Sequence, residues 1–247
     1  MRTLSPPSLD RMVSRQVHRW MLQEERRITR PRPNCVALSR LPGSGAAELG
    51  RRVAEDLGFG FFGIELVDQI ARESHIHPHL VAGLDERRRD AIERFVRDAV
   101  HSHRYDESRY HRALMRVLGT FAKRGMAVVL GRGAAFVLPA ERTLRVLVVA
   151  SEPFRLSRLR EAKDLDETTA REQLRHEDAQ RSLFNRHHFG VDPDDPVLYD
   201  LVVNSETLGI PAANALITRA YRERFFDSPK AEPAPEGAVL QHSTSAL

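Results

Sequence analysis

Apolar residues gather into four short runs: Cys35–Leu38, Met126–Leu130, Thr143–Ala150 and Tyr199–Val203. None keeps the strict apolar–polar alternation of a strand with one wet face. Each is predicted to be a strand covered on both faces, as in parallel sheets. Between and after the runs, apolar positions recur at three- and four-residue spacing. That periodicity predicts helices over residues 46–57, 65–73, 84–103, 107–124, 153–162, 166–185 and 210–226. Gly58 and Gly125 stop two of them, and Phe59–Phe62 reads as a lead into the next turn. Strands separated by helices predict an α/β fold: a parallel sheet with helices on both faces. Ligands of such sheets sit beyond the carboxyl ends of the strands. Three places qualify: Arg40–Gly45, Gly131–Gly133 and Ala150–Pro153.

The flanks read differently. Residues 1–33 combine a helical stripe (Met12, Val13, Val17, Trp20, Met21, Ile28) with an extended Arg30-Pro31-Arg32-Pro33 linker. The stripe is suited to packing on the domain or on a second copy, with Trp20 as anchor, so a homodimer contact is expected there. Pro- and Ser-containing residues 228–247 read as a disordered tail. The organisation is therefore 1–33, then a domain at 34–227, then 228–247.

Composition narrows the function. Charged residues make 29% and hydrophobic ones 41% of 247 residues, a globular balance with material for a full core. The single cysteine, Cys35, excludes an intrachain disulfide and a cysteine-built metal site, which suits a reducing cytoplasm. No run is long enough to cross a bilayer, and the N-terminus lacks a signal-peptide core. The net charge of +4 comes mostly from arginine. Its charges alternate in sign along helices, so small anionic substrates are expected and nucleic acid is not. His75, His77 and His79 surround Pro78; a polar loop is preferred to a zinc site, and no metal ligand is assigned.

The candidate chemistry starts at Ser39-Arg40-Leu41-Pro42-Gly43-Ser44-Gly45, between a strand and a helix. Glycines there let amide N–H groups turn toward a phosphate, and the helix N-terminus adds partial positive charge. A full phosphate loop continues with Lys for the β- and γ-phosphates and Ser/Thr for Mg²⁺; Ala46 and Ala47 stand in those places. Arg132, between Gly131 and Gly133, is the shape of a ligand clamp. Arg171, Arg175, Asp178 and Arg181 share a helix face. Arg171 reads as solvated charge, whereas Arg175, Asp178 and Arg181 fall where phosphoryl-transfer enzymes keep a closing lid.

Several of these phrases occur in the order found in one family. Ser39–Ala46, Phe61-Phe62-Gly63-Ile64-Glu65, Gly131-Arg132-Gly133-Ala134, Phe189-Gly190-Val191-Asp192-Pro193, and Tyr199-Asp200-Leu201 with Asn204 resemble the cytidylate-kinase-like family, a branch of the P-loop nucleoside monophosphate kinases. The resemblance runs from about Arg15 to Arg222. It implies a three-layer P-loop fold with a helical lid and a monophosphate-binding insertion. It also implies ATP as donor, Mg²⁺, and a pyrimidine monophosphate such as CMP or dCMP as acceptor. Carried onto this chain, Gly43, Ser44 and Gly45, with Ser39 and Arg40 leading into them, would hold the ATP phosphates. Arg132 would contact the acceptor, and Asp178 with Arg181 would form the lid pair, Arg175 beside them. Arg40 is our own candidate for the absent lysine, so Arg40, Arg132 and Arg181 are the expected catalytic set. Gly63 departs from the branch, which often carries Asp there. The alternative is a nucleotide-binding regulator of the same fold with little turnover.

Overall fold

The computed structural model describes residues 34–72, 81, 84, 86–102 and 109–227, with Arg11, Arg15, His18 and Leu22. Trp20, the three histidines near Pro78 and the tail 228–247 lie outside the described residues.

Strand β1 (Cys35–Arg40) occupies the centre of a parallel sheet. Around it lie β2 (Gly60–Phe62), β3 (Ala127–Leu130), β4 (Thr143–Val149) and β5 (Leu201–Asn204), in the order β2-β3-β1-β4-β5. Val36 stands opposite Val128 of β3 and Leu144 of β4. Cys35, Val36, Ala37 and Leu38 are all buried, as an unbroken apolar run requires in the middle of a covered sheet.

Two sequence expectations change here. The sheet has a fifth strand, because Gly60–Phe62 pairs with Ala127–Val129 instead of leading straight into a turn. Three residues are too few to show any periodicity. And β1 runs on through Ser39 and Arg40, which pair with Leu147 and Val148 of β4, so both belong to the strand and not to the loop.

Helix α1 (Ala46–Leu57) lies over β1, β2 and β3 on one face, beside α8 (Ser205–Arg222). Gly50 lets α1 approach the sheet: a Cβ there would meet the Phe61 ring at 2.5 Å. The opposite face carries α4 (Arg109–Arg124), whose Phe121 ring touches Phe62 of β2 at 4.4 Å between centroids. Before α4 come α2 (Ile64–Arg72) and α3 (Glu86–Ser102), both packed on it. Gly119 of α4 admits the Phe95 ring of α3, which a Cβ would meet at 2.7 Å. The short α5 (Ala134–Val137) follows β3.

Helices α6 (Glu152–Lys163) and α7 (Glu167–Phe189) form a hairpin with its own small core of Leu156, Leu159, Ala170 and Leu174. Ser151 caps α6 and Asp166 caps α7, each accepting from an amide three residues on. The hairpin thus holds together through a small core separate from the main one. Helix α7 is one turn longer than its periodicity predicts and ends at Gly190 in the left-handed region. Helix α8 starts earlier than expected, at Ser205, with Asn204 accepting from the amides of Glu206 and Thr207. Gly209 (φ 69°, ψ 160°) breaks it before the straight segment that the sequence shows. Among the described residues no helix is long and apolar enough to cross a membrane.

Candidate active site

The carboxyl ends of β1 and β3 open into a cleft of about 740 Å³. Strand β1 delivers Ser39 and Arg40 to its floor. The turn after β3 supplies Gly131, Arg132 and Gly133, α2 supplies Glu65, and α7 supplies Glu177, Arg181 and Phe184. The two strand ends are tied by the Gly131 amide, which donates to the Leu38 carbonyl at 2.8 Å.

The glycine loop adjoins this cleft at Pro42. Its Ser44 amide donates to the Leu41 carbonyl, and Gly43 and Gly45 sit at φ 79° and 77°, where a side chain is disfavoured. The amides of Gly43, Gly45, Ala46 and Ala47 find no acceptor among the described residues. Those free N–H groups, together with the start of α1, form an anion-binding concavity. The Ser205 hydroxyl donates to the Ser44 carbonyl at 2.7 Å and fastens the loop to α8. Helix α6 lies across it. A Cβ on Gly43 would meet the Arg155 carbonyl at 2.7 Å, and one on Gly45 would meet the Arg158 guanidinium at 3.3 Å.

The two implied ligands fit differently. The loop has the chemistry for a triphosphate: its amides of Gly43, Gly45, Ala46 and Ala47 lack acceptors among the described residues, and Arg155 and Arg158 of α6 pack beside it. A protein-held Mg²⁺ does not fit. Ala47 has no hydroxyl, β3 ends at Leu130 and is followed by Gly131, neither of which carries a carboxylate, and no group of three potential metal ligands occurs among the described residues.

Arg40 is the unusual residue. It is half-buried, and its guanidinium makes no hydrogen bond or ion pair among the described residues. Burial pushes its guanidinium below its ordinary value. Glu177 and Glu65 work against that shift, and Arg181 and Arg132 add to it. An arginine remains charged at any working pH, so a cation stands in a partly dry cleft without a direct counter-ion among the described residues.

The other expected residues are more committed. The Arg132 guanidinium grips both carboxylate oxygens of Asp68 through Nε and Nη2, under the Phe184 ring at 5.0 Å. Its own backbone is left-handed, φ 53°. Arg181 donates to Asp194 at 2.6 Å, to the Pro193 carbonyl at 2.8 Å and to the Ser39 hydroxyl at 3.4 Å, so it braces α7 against β1. Asp178 accepts from Arg155 Nη1 at 2.9 Å, and the same nitrogen donates to the Pro42 carbonyl; this pair ties the loop to the α6–α7 hairpin. Arg175 is exposed and does not line the cleft. Arg171 pairs with Glu152 and Glu167 on the surface, as solvated charge would.

Sequence reasoning missed Asp68, Tyr110, Arg155 and Arg158. The first two sit 64 and 22 residues before Arg132, a separation with no linear signature. Arg155 and Arg158 share a helix face, but only the fold lays that face on the loop.

Residues 35–207 match the model of the "Cytidylate kinase-like family". A curated cytidylate kinase of Staphylothermus marinus is 26% identical over 193 residues, covering 77% of this chain and 97% of that protein. An uncharacterised protein from Eubacterium ventriosum superposes with a TM-score of 0.58 at 17% identity, over 76% of this chain and 98% of that one, and supports the fold alone. The family match spans most of the chain, from β1 to the start of α8, and this chain belongs to the cytidylate kinase-like family.

Proposed function

We propose that this protein transfers the γ-phosphoryl group of ATP to a pyrimidine nucleoside monophosphate of the CMP or dCMP type. The observation that carries the reading is Arg40, a half-buried cation with no ion pair among the described residues, in a cleft that joins the start of the glycine loop to Arg132. The donor phosphates would rest on the free amides of Gly43, Gly45, Ala46 and Ala47, flanked by Arg158. The acceptor phosphate would meet Arg132. Arg40, on the last residue of β1, would neutralise charge on the transferring group in place of the absent lysine. ATP supplies the phosphoryl group. The protein's part is positioning and charge neutralisation without a covalent intermediate. Arg181 and Asp178 act here by holding the lid against β1 and the loop.

Family membership and the name of the archaeal relative support the acceptor class. Buried Ala46 and the missing hydroxyl at Ala47 favour a second reading, a nucleotide-binding regulator with little turnover. ADP release measured over CMP, dCMP, UMP and AMP separates the two. The first reading predicts turnover that depends on CMP or dCMP. ATP binding without turnover on any monophosphate would contradict it and establish the second.

A further inference from the structure

Arg132 is held from two sides before any ligand arrives. One carboxylate, Asp68 of α2, occupies the Nε–Nη2 edge of its guanidinium. The Phe184 ring of α7 covers the plane at 5.0 Å from the centroid. A guanidinium has five N–H donors; Asp68 takes one from Nε and one from Nη2. Of the remaining three, two are on Nη1 and one on Nη2. Arg132 lines the cleft, so that free end is what a ligand can reach. Asp68 is itself fixed. The Tyr110 hydroxyl of α4 donates to Asp68 Oδ1 at 2.6 Å, and Asp68 is largely buried, with 15% of its side chain exposed. Burial, and then the bond to Asp68, push the Tyr110 hydroxyl well above the ordinary tyrosine range, so it stays a donor through neutral and alkaline pH.

We propose that Asp68 and Tyr110 are positioning residues for the acceptor site: they orient Arg132 so that its Nη1 end meets the monophosphate edge-on. The inference rests on reading Arg132 as the acceptor contact. Asp68 cannot touch the phosphate through the edge it uses, because both its oxygens are engaged. Its effect passes through Arg132. The pairing also offsets the arginine's charge, so the site selects its ligand by the direction of hydrogen bonds more than by net charge.

Calorimetric titration with CMP and, separately, with ATP tests this in the full chain. Asp68→Asn keeps the shape and removes the charge; it should weaken CMP about tenfold or more, the scale of a charged hydrogen bond, and leave ATP within about twofold. Tyr110→Phe loses only a hydroxyl and should weaken CMP about threefold to tenfold. That loss should vanish in an Arg132→Ala background, because a residue acting through Arg132 has nothing left to orient. An equal loss in both backgrounds would mark a merely structural role and overturn the proposal. So would tighter or unchanged CMP binding in Asp68→Asn, if Arg132→Ala abolishes it. Wild-type protein that does not bind CMP, or Arg132→Ala that binds it normally, would instead refute the reading of Arg132 as the acceptor contact, and this inference with it.

Discussion

Arg40 shows what one residue contributes when its neighbours are counted. Two carboxylates and two other arginines act on it at a distance, yet none is bound to it. Desolvated cations of this kind gain most from an incoming anion, because the Coulomb attraction acts in a low-dielectric space. Cys35 is the opposite case. Its thiol is buried in the core, donates to the Phe121 carbonyl at 3.4 Å and is pushed up to about 12 by burial. A thiol with so little thiolate is inert. A disulfide-exchange reagent at pH 8 should leave it unmodified in the native protein and label it on addition of denaturant; rapid native labelling would contradict its burial. Arg132 could be singled out in the sequence because two glycines frame it. Its anchoring could not, since Asp68 and Tyr110 come to it only through the packing of α2 and α4.

At the scale of elements, the left-handed glycines separate two costs. Gly190 ends α7 at φ 66° with nothing within 4 Å of an added Cβ. Gly190→Ala should therefore cost only the backbone strain, about 1 kcal/mol. Gly133, at φ 71°, would place a Cβ 2.0 Å from the Phe189 ring. Gly133→Ala should cost strain plus overpacking, about 2–4 kcal/mol. Urea unfolding of the two variants reads the difference, and equal losses would mean that the Phe189 ring moves aside freely. Seven of the eight helices were legible from their three- and four-residue spacing and four of the strands from their apolar runs, whereas the four-residue α5 is too short to show a period. β2 was not legible either: three residues carry no period, and its place is set by Met126 and Ala127–Val129 alongside. The early start of α8 was hidden for another reason. Gly209 and Pro211 look like a boundary in the sequence, whereas Asn204 caps a first turn before them. The α6–α7 hairpin was legible as charge and length, but its bracing role was not, because Arg181 and Arg155 find Ser39 and Pro42 far away along the chain.

Across the whole molecule, the far side of the sheet is fastened by charge. Asp200 accepts from the Arg145 amide and guanidinium of β4, and pairs with Arg224 beyond α8. Burial alone would raise its carboxyl. The bonds from Arg145 and then Arg224 outweigh that and hold it below the usual carboxylate range. A depressed carboxyl stabilises the fold above the unfolded value of about 3.9, and that contribution is lost as pH falls through the folded value. Asp200→Asn should therefore be less stable than wild type at pH 6, with the gap closing in the acid range below about 4. A gap independent of pH would contradict the assignment. The parallel class could be read from the apolar runs, while the strand order became visible only in the structure, because nothing in a run says which neighbour it pairs with. At the middle of that order lies the cleft in which we propose that Arg40 replaces the missing lysine. That replacement is tested most directly by the CMP-dependent rate of ADP formation, wild type against Arg40→Ala, both at saturating ATP and both shown to be folded. The account predicts turnover by wild type and a loss of about a hundredfold or more in the variant. Equal rates in the two proteins would contradict it.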